Sequence, residues 1–404
     1  MKPLNTPIKL AGNPQSVPHY KTSIKTPMGI LNVSDPQALR ALISLMDMEA
    51  VIGGAASHFG GPSALAELVS VVHGVVFDEA HKLRRPWYEM FNVINDIGHC
   101  ENIFYALKAN YGFADLTFED LRGFRSITSP LTGHGESHLF PEGVLLSNGP
   151  LGSAFPQTQG LSAADKLAHR ERTTVCFISD GACMEGEAKE SLAAIPGLAA
   201  KNMLNPYVLI ISDNNTKLSG RIDKDAFSME PTFKSMTALG WKVIPLEKAH
   251  DLEACAEAFV QALHEARANP SVPVAIQAKT VKGYGIKKLF ESASGGHGFP
   301  LKKSTELNDF MREIFGSTQM PVAFTQWTEN LTDKEKGLGG ANEPGEKIQK
   351  GVASALIEAA KKGYPILSVT SDLPGSTGLA DFRKEFPHHS IDVGVAESNM
   401  ISMA

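Results

Sequence analysis

Two apolar runs, TTVCFI at 173–178 and YVLII at 207–211, limit most strongly what this chain can fold into. Each is short, rich in β-branched residues and free of polar alternation. Each therefore reads as a strand covered on both faces, the signature of a parallel sheet. Between them, EGEAKESLAAIPGLAA places Leu192, Ala193, Ile195 and Leu198 at helical spacing, which predicts a helix with those four turned inward. Strand, helix, strand makes a right-handed crossover that sets the two strands in one sheet. A third run, VPVAIQAKT at 272–280, adds another strand. The predicted fold class is α/β, doubly wound, with mostly parallel sheets and helices on both faces.

The strand ends point to chemistry. Asp180-Gly181 follows the first run and Asn214-Asn215 the second, 214 − 180 = 34 positions later. Ligands of open parallel sheets sit beyond the carboxyl ends of the strands, so both side chains are predicted to enter one crevice. A carboxylate and an amide oxygen, with room for a backbone carbonyl and water, form a hard-oxygen site suited to Mg²⁺. Mg²⁺ shares its coordination with phosphates, so the pair suggests a metal-bridged diphosphate. Gly181 allows backbone and phosphate to approach closely. A helix starting near Glu185 offers N–H groups to the anion. Either pair alone is more often a plain turn; the crossover spacing favours the joint reading.

The rest of the chain supports a two-part organisation. The first 25 residues or so read as an extended arm. PQALRALISLMDMEAVIGG is helical, with Leu39, Leu42, Ile43 and Met46 on one face, and SALAELVSVVHGVVF is a second helix after Pro62. Residues 316–346, rich in Gly, charge and turn formers, read as a linker. A new α/β unit then starts. KIQKGVASALIEAAKKG is an amphipathic helix with Ile348, Val352, Leu356 and Ile357 on one face. A strand ends at Asp372, and another at 391–393 runs into a helix. The expected domains are 1–315, a linker at 316–346, and an incomplete unit at 347–404.

Composition narrows the partners. A net charge of −6 without a basic run gives no sign of nucleic acid. The four cysteines, without a CxxC pair, suit reduced thiols. No apolar run reaches the ~20 residues of a membrane span, and the N-terminus lacks a signal-peptide core. A cytoplasmic protein without membrane or nucleic-acid partners is expected.

The Asp-Gly, Glu-Gly and Asp-Asn-Asn sequence resembles the thiamine-diphosphate fingerprint of the transketolase family, with Ser179 where the family has glycine. Further motifs follow in family order. SHFGGPSALAEL is similar to SGHPG…L and supplies His58; NDIGHCENIFYAL is similar to SNGHA…LY and supplies His99. TGHGESH resembles GHPE and supplies His134. SNGPLGSAF resembles TGPLGQG, with Gly149 through Gly152 unchanged. KGYGIKKLFESASGGHGFPL resembles IGYG…HGxPL and supplies His297. SDLPGS resembles ADLTPS, and VGVAES resembles the GxxE motif and supplies Glu397. The similarity runs from about residue 35 to the last residue.

That resemblance implies the following roles. Asp180, Asn214 and the carbonyl of Thr216 would hold Mg²⁺, with Ca²⁺ or Mn²⁺ as substitutes. Gly181 would contact the diphosphate of thiamine diphosphate, and Gly149 and Leu151 would line its rings. Glu185 would lie near the cofactor at a dimer contact, in a chain of acidic groups. Glu397 would exchange a proton with the pyrimidine while screened from water, which tends to raise a carboxyl pKa. His58, His99, His134 and His297 would surround the sugar and move hydroxyl protons. Ser376 would touch a sugar phosphate. An arginine the family places near Lys350 is not evident. The implied activity is transfer of a two-carbon ketol unit from a ketose phosphate to an aldose phosphate, in a homodimer whose sites lie between subunits. Deoxyxylulose phosphate synthase is the alternative, since GVAES is as close to its GxAEQ context. A truncated or split subunit that needs a partner chain to supply the carboxyl-terminal part is another. A nicotinamide-dependent dehydrogenase is disfavoured, because no convincing GxGxxG follows a strand.

Overall fold

The computed structural model describes residues 9–337 and 348–404. The chain enters through an antiparallel hairpin, β1 (Lys21–Thr26) and β2 (Gly29–Ser34). The arm expected over the first 25 residues is therefore structured at its end. Val33 is fully buried against the helix Ala66–Leu83, where a Cβ on Gly74 would come within 2.7 Å of the valine Cγ1. Glycine is needed there because the strand lies directly on the helix backbone.

The main sheet consists of β3 (Phe91–Asn95), β4 (Thr173–Ser179), β5 (Tyr207–Asp213), β6 (Lys242–Leu246) and β7 (Val274–Lys279). Their order is β3-β4-β5-β7-β6 and every neighbouring pair is parallel. The three apolar runs form β4, β5 and β7. Alternation along each strand feeds two separate cores. Val175, Phe177, Val208 and Ile210 face the helices Ala66–Leu83 and Leu252–Ala268. Cys176, Ile178, Leu209 and Ile211 face the helices Ala154–Leu167 and Gly186–Ala200. Burial of one such side chain contributes roughly 1.5–3 kcal/mol, so two covered faces are what hold the sheet.

The helices follow their patterns closely. Pro36–Ile52 starts on Asp35, whose side chain accepts the Gln37 N–H at 3.1 Å, with Pro36 in the first turn. Leu39, Leu42, Ile43 and Met46 are all fully buried. In Gly186–Ala200, Leu192 and Ile195 are buried and Leu198 partly so, but Ala193 is exposed. At 100° per residue Ala193 turns off the stripe that Ala188, Leu192, Ile195 and Ala199 define.

The span 316–346, read as a linker, contains the helix Val322–Gly337. Phe324, Trp327 and Leu331 are buried at three-to-four spacing. The Trp327 indole N–H donates to Glu49 Oε1 at 2.9 Å, and Lys334 pairs with the same carboxylate at 2.6 Å. A strongly charged outer face conceals this short apolar stripe in the sequence. Residues 338–346 of that span lie outside the described residues.

The carboxyl-terminal unit has a helix, Gln349–Lys361, and a parallel pair, β8 (Ser368–Thr370) and β9 (Ser390–Asp392). Its predicted apolar helix face is only partly packed: Ile348 and Val352 are exposed, Leu356 and Ile357 are half-buried, and Ala353 is buried. The unit is fastened by Lys217, whose ammonium reaches Asp372 at 2.7 Å and Asp392 at 2.9 Å, both ion pairs buried. Among the described residues no helix is long and apolar enough to cross a membrane, and all four cysteines are free and buried.

Candidate active site

The carboxyl ends of β3, β4, β5 and β7 open on one cavity of about 230 Å³. Its lining includes His58, His99, His134, Leu151, Gly181, Asn214, Thr216, His297 and Glu397. The sequence supplies these residues from positions far apart; the parallel sheet gathers them because its strands all end on the same side.

Asp180 ends β4 and is buried. Its Oδ1 accepts the Gly181 N–H at 2.9 Å, and its Oδ2 accepts the N–H groups of Asn214 at 2.8 Å and Asn215. Burial, with the nearby Asp213 charge, raises its pKa to about 7. The side-chain Oδ1 of Asn214 is buried without a hydrogen-bond partner. A carboxylate desolvated enough to resist ionisation beside an orphaned amide oxygen fits a divalent cation, which would satisfy both. Thr216 lies in the same turn, its hydroxyl donating to the Asn214 carbonyl at 2.9 Å. Among the described residues no group of three or more His, Cys, Asp or Glu forms a metal cluster.

Three of the four histidines converge. The ring centroids of His58 and His99 are 5.2 Å apart, those of His58 and His297 5.1 Å, and those of His99 and His297 4.9 Å. His134 lines the same cavity. Burial lowers the pKa of His58 to about 4 and pushes those of His99 and His297 well down; His134 is lowered too. Lys282 contributes positive charge near the first three, and its ammonium stands 2.9 Å from His297 Nδ1. The imidazoles are therefore neutral at pH 7.

A loop crosses the cavity and is anchored by a residue the sequence reading passed over. Asp96, just past β3, accepts the N–H groups of Gly152 and Phe155, each at 2.8 Å. This places Leu151 against the cavity, while Gly149 sits partly exposed and outside its lining. Gly98 is required beside it, since a Cβ there would overlap the Asn148 carbonyl. Gly152 has φ 72°, and a Cβ would come within 2.6 Å of the Glu185 Cβ.

Glu185 and Glu397 meet at a second opening shared with Leu151 and Gly152. Burial is the largest cause of the raised Glu185 pKa, followed by its hydrogen bond to the Glu397 carboxyl. Glu397 itself is exposed and Glu185 is half-buried. Glu397 lines the same cavity as Asn214 and the histidines. Ser376 is exposed, bonds back to the Leu373 carbonyl at 3.5 Å and does not line the cavity. Its neighbours Ser371, Asp372 and Leu373 do.

The family model described as "Transketolase, thiamine diphosphate binding domain" matches residues 36–361. The chain belongs to the transketolase family. Transketolase 1 of Pasteurella multocida is 28% identical over 354 residues, covering 83% of this chain and 49% of that protein. Human transketolase is 27% identical over 386 residues, covering 91% and 58%. The chain thus spans about half the length of these relatives. Among solved structures, transketolase from Leishmania mexicana superposes with a TM-score of 0.56 at 22% identity, over 90% of this chain and 61% of that one. Transketolase from Campylobacter jejuni gives 0.57 at 22%, over 89% and 61%. At that identity they speak for the fold: a mostly parallel α/β arrangement.

Besides Asp96, the sequence reading of this transketolase-family chain missed Lys217 and Lys282. Lys282 is buried, and burial lowers its pKa to about 8. Both lysines follow strand ends, and a lysine just past an apolar strand was the available signal.

Proposed function

We propose that this chain is the cofactor-binding portion of a thiamine-diphosphate-dependent transketolase, which moves a two-carbon ketol unit from a ketose phosphate to an aldose phosphate. The observation that supports the proposal is a cavity lined by the three converging histidines and by Asn214, whose backbone N–H is bonded to the buried Asp180 carboxylate. In this reading Asp180, Asn214 and the Thr216 carbonyl hold Mg²⁺, Gly181 meets the diphosphate, and Leu151 supports the cofactor rings. Bound thiamine diphosphate supplies a nucleophilic thiazolium carbon. His58, His99 and His297 take a proton from a donor-sugar hydroxyl as the carbon–carbon bond beside the carbonyl breaks and that hydroxyl becomes the carbonyl of the leaving aldose, and they give a proton to the acceptor aldose's carbonyl oxygen as the new bond forms. His134 orients the sugar. Glu397 exchanges a proton with the cofactor's pyrimidine, and Glu185 relays charge to it.

The proposed domains are a diphosphate-binding domain over 1–315 and a pyrimidine-binding unit from 347 onward. The proposed setting is the cytoplasmic pentose phosphate pathway. We propose a homodimer as well. A second polypeptide supplying further carboxyl-terminal structure is compatible with the share of the relatives that this chain spans.

The test is a donor–acceptor assay with xylulose 5-phosphate and ribose 5-phosphate in the presence of thiamine diphosphate and Mg²⁺. Release of an aldose phosphate supports the proposal. Release of carbon dioxide from pyruvate and glyceraldehyde phosphate, without ketol transfer, replaces it with the synthase reading. Cofactor binding with turnover only after a second chain is added identifies a split subunit.

A further inference from the structure

The helix Glu101–Asn110 follows directly on His99 and Cys100, and all 10 of its residues are buried. Three of them, Glu101, Tyr105 and Lys108, stand at i, i+4 and i+7 and so form one polar stripe. The Lys108 ammonium lies 3.6 Å from Glu101 Oε1, which puts a charged pair in the core. Such a pair stabilises less than two well-packed apolar side chains would. Its further contacts lead to a single loop.

That loop runs from His134 to Gly149, and the stripe grips it at three places. The Tyr105 hydroxyl donates to the His134 carbonyl at 3.4 Å, and the Lys108 ammonium to the Gly143 carbonyl at 2.7 Å. Glu101 acts through Asn148, which is fully buried. Glu101 Oε2 accepts the side-chain N–H groups of Asn95 at 2.8 Å and of Asn148 at 2.9 Å. The Asn148 amide nitrogen also donates to the Asn95 carbonyl at 2.9 Å. With its nitrogen so held, Asn148 turns its Oδ1 to the Gly135 N–H at 2.6 Å. The Asn148 backbone N–H returns a bond to the Gly135 carbonyl at 3.1 Å. The two ends of the loop are thus clasped, and the clasp closes beside His134, which lines the cavity. The fit is close: a Cβ on Gly135 would come within 3.2 Å of the Glu101 carboxyl carbon and 3.1 Å of the Asn148 amide nitrogen.

A carboxylate suits this place because it carries no N–H. One oxygen accepts two amides while the other faces an ammonium. A glutamine that offers its oxygen to the asparagines turns its NH₂ toward Lys108; a reversed one sets its NH₂ against theirs. We infer that Glu101 is a positioning residue for the candidate active site: by fixing the amide of Asn148 it holds the loop so that His134 faces the sugar. This rests on the ketol-transfer reading given above and adds to it the group that sets one of its histidines in place. Leu151 is held separately, through the Asp96 bonds to Gly152 and Phe155, so the clasp governs the sugar and not the cofactor.

The experiment compares the wild-type chain with Glu101→Gln and Asn148→Ala. Amide hydrogen exchange of the cofactor-free chain is expected to quicken roughly tenfold or more at Gly135 in both variants and to stay unchanged in β4. Calorimetric titration of ribose 5-phosphate, with thiamine diphosphate and Mg²⁺ bound, is expected to show affinity weakened roughly tenfold. The affinity for thiamine diphosphate stays as in the wild type. In turnover the loss falls on the KM for ribose 5-phosphate rather than on kcat. If Glu101→Gln does not fold with Lys108 left unpaired, Asn148→Ala carries the test. Unchanged exchange at Gly135 overturns the inference. So does quickened exchange with unchanged ribose 5-phosphate affinity, or an equal loss of thiamine diphosphate affinity, either of which leaves Glu101 a merely structural role. A wild-type chain that binds no ribose 5-phosphate sinks the sugar-phosphate reading instead, while the exchange at Gly135 still decides whether Glu101 holds the His134 loop.

Discussion

The Asp180 carboxylate accepts the backbone N–H of Asn214 at 2.8 Å, while the side-chain oxygen of Asn214 is left buried and unpartnered. Two neighbouring strand tips are thus tied together with one oxygen in reserve. Asp180→Ala is expected to weaken Mg²⁺-dependent thiamine diphosphate binding by roughly 100-fold or more, since it removes the only charged oxygen of the pair. Calorimetry with and without Mg²⁺ checks this; equal affinity in both proteins would refute the assigned ligand.

Glu397→Gln keeps the shape of the side chain and removes its ability to hold an exchangeable charge. Cofactor affinity is expected to stay within about tenfold, with exchange of the cofactor's C2 proton slowed by roughly 100-fold or more. Deuterium exchange followed by quenched NMR measures it. Exchange at the wild-type rate would transfer the role elsewhere, with Glu185 the nearest carboxyl.

His73 is buried among Phe77, Phe104 and Phe177, and its Nδ1 lies 2.9 Å from the Val69 carbonyl. Burial lowers its pKa from 6.5 to about 4. Between those values the unfolded chain binds more protons than the folded one, so stability falls as pH drops from about 6.5 to about 4. The loss is on the order of 3 kcal/mol for this residue. His73→Phe is expected to flatten that part of the profile. Urea midpoints at pH 7 and pH 4.5 measure the difference; an identical pH dependence in the variant would exclude His73 as its source.

Trp327 joins the segment read as a linker to the main core. Its indole bonds to Glu49, and the Arg122 guanidinium lies 4.7 Å from its ring centroid. Trp327→Ala is expected to cost about 3–5 kcal/mol, the range for deleting a buried aromatic. A shift in the denaturant midpoint tests it. A change near zero would mean that the helix Val322–Gly337 adds little to the fold.

The sequence by itself determined the parallel sheet and the chemistry of its strand ends. Apolar runs covered on both faces need helices on both sides, and a crossover of fixed hand brings Asp180 beside Asn214. Local motifs also named the histidines. Tertiary structure decided what depends on close approach between distant segments. Asp96 matters because it binds the Gly152 loop, and Lys217 because it meets Asp372 and Asp392. Their partners carry no periodic or motif signal, since only folding brings them together. Burial likewise cannot be read from one residue's neighbours in the chain. That is why Glu397 is exposed while Glu185 is half-buried, and why Ile348 and Val352 are exposed while Leu356 and Ile357 are half-buried.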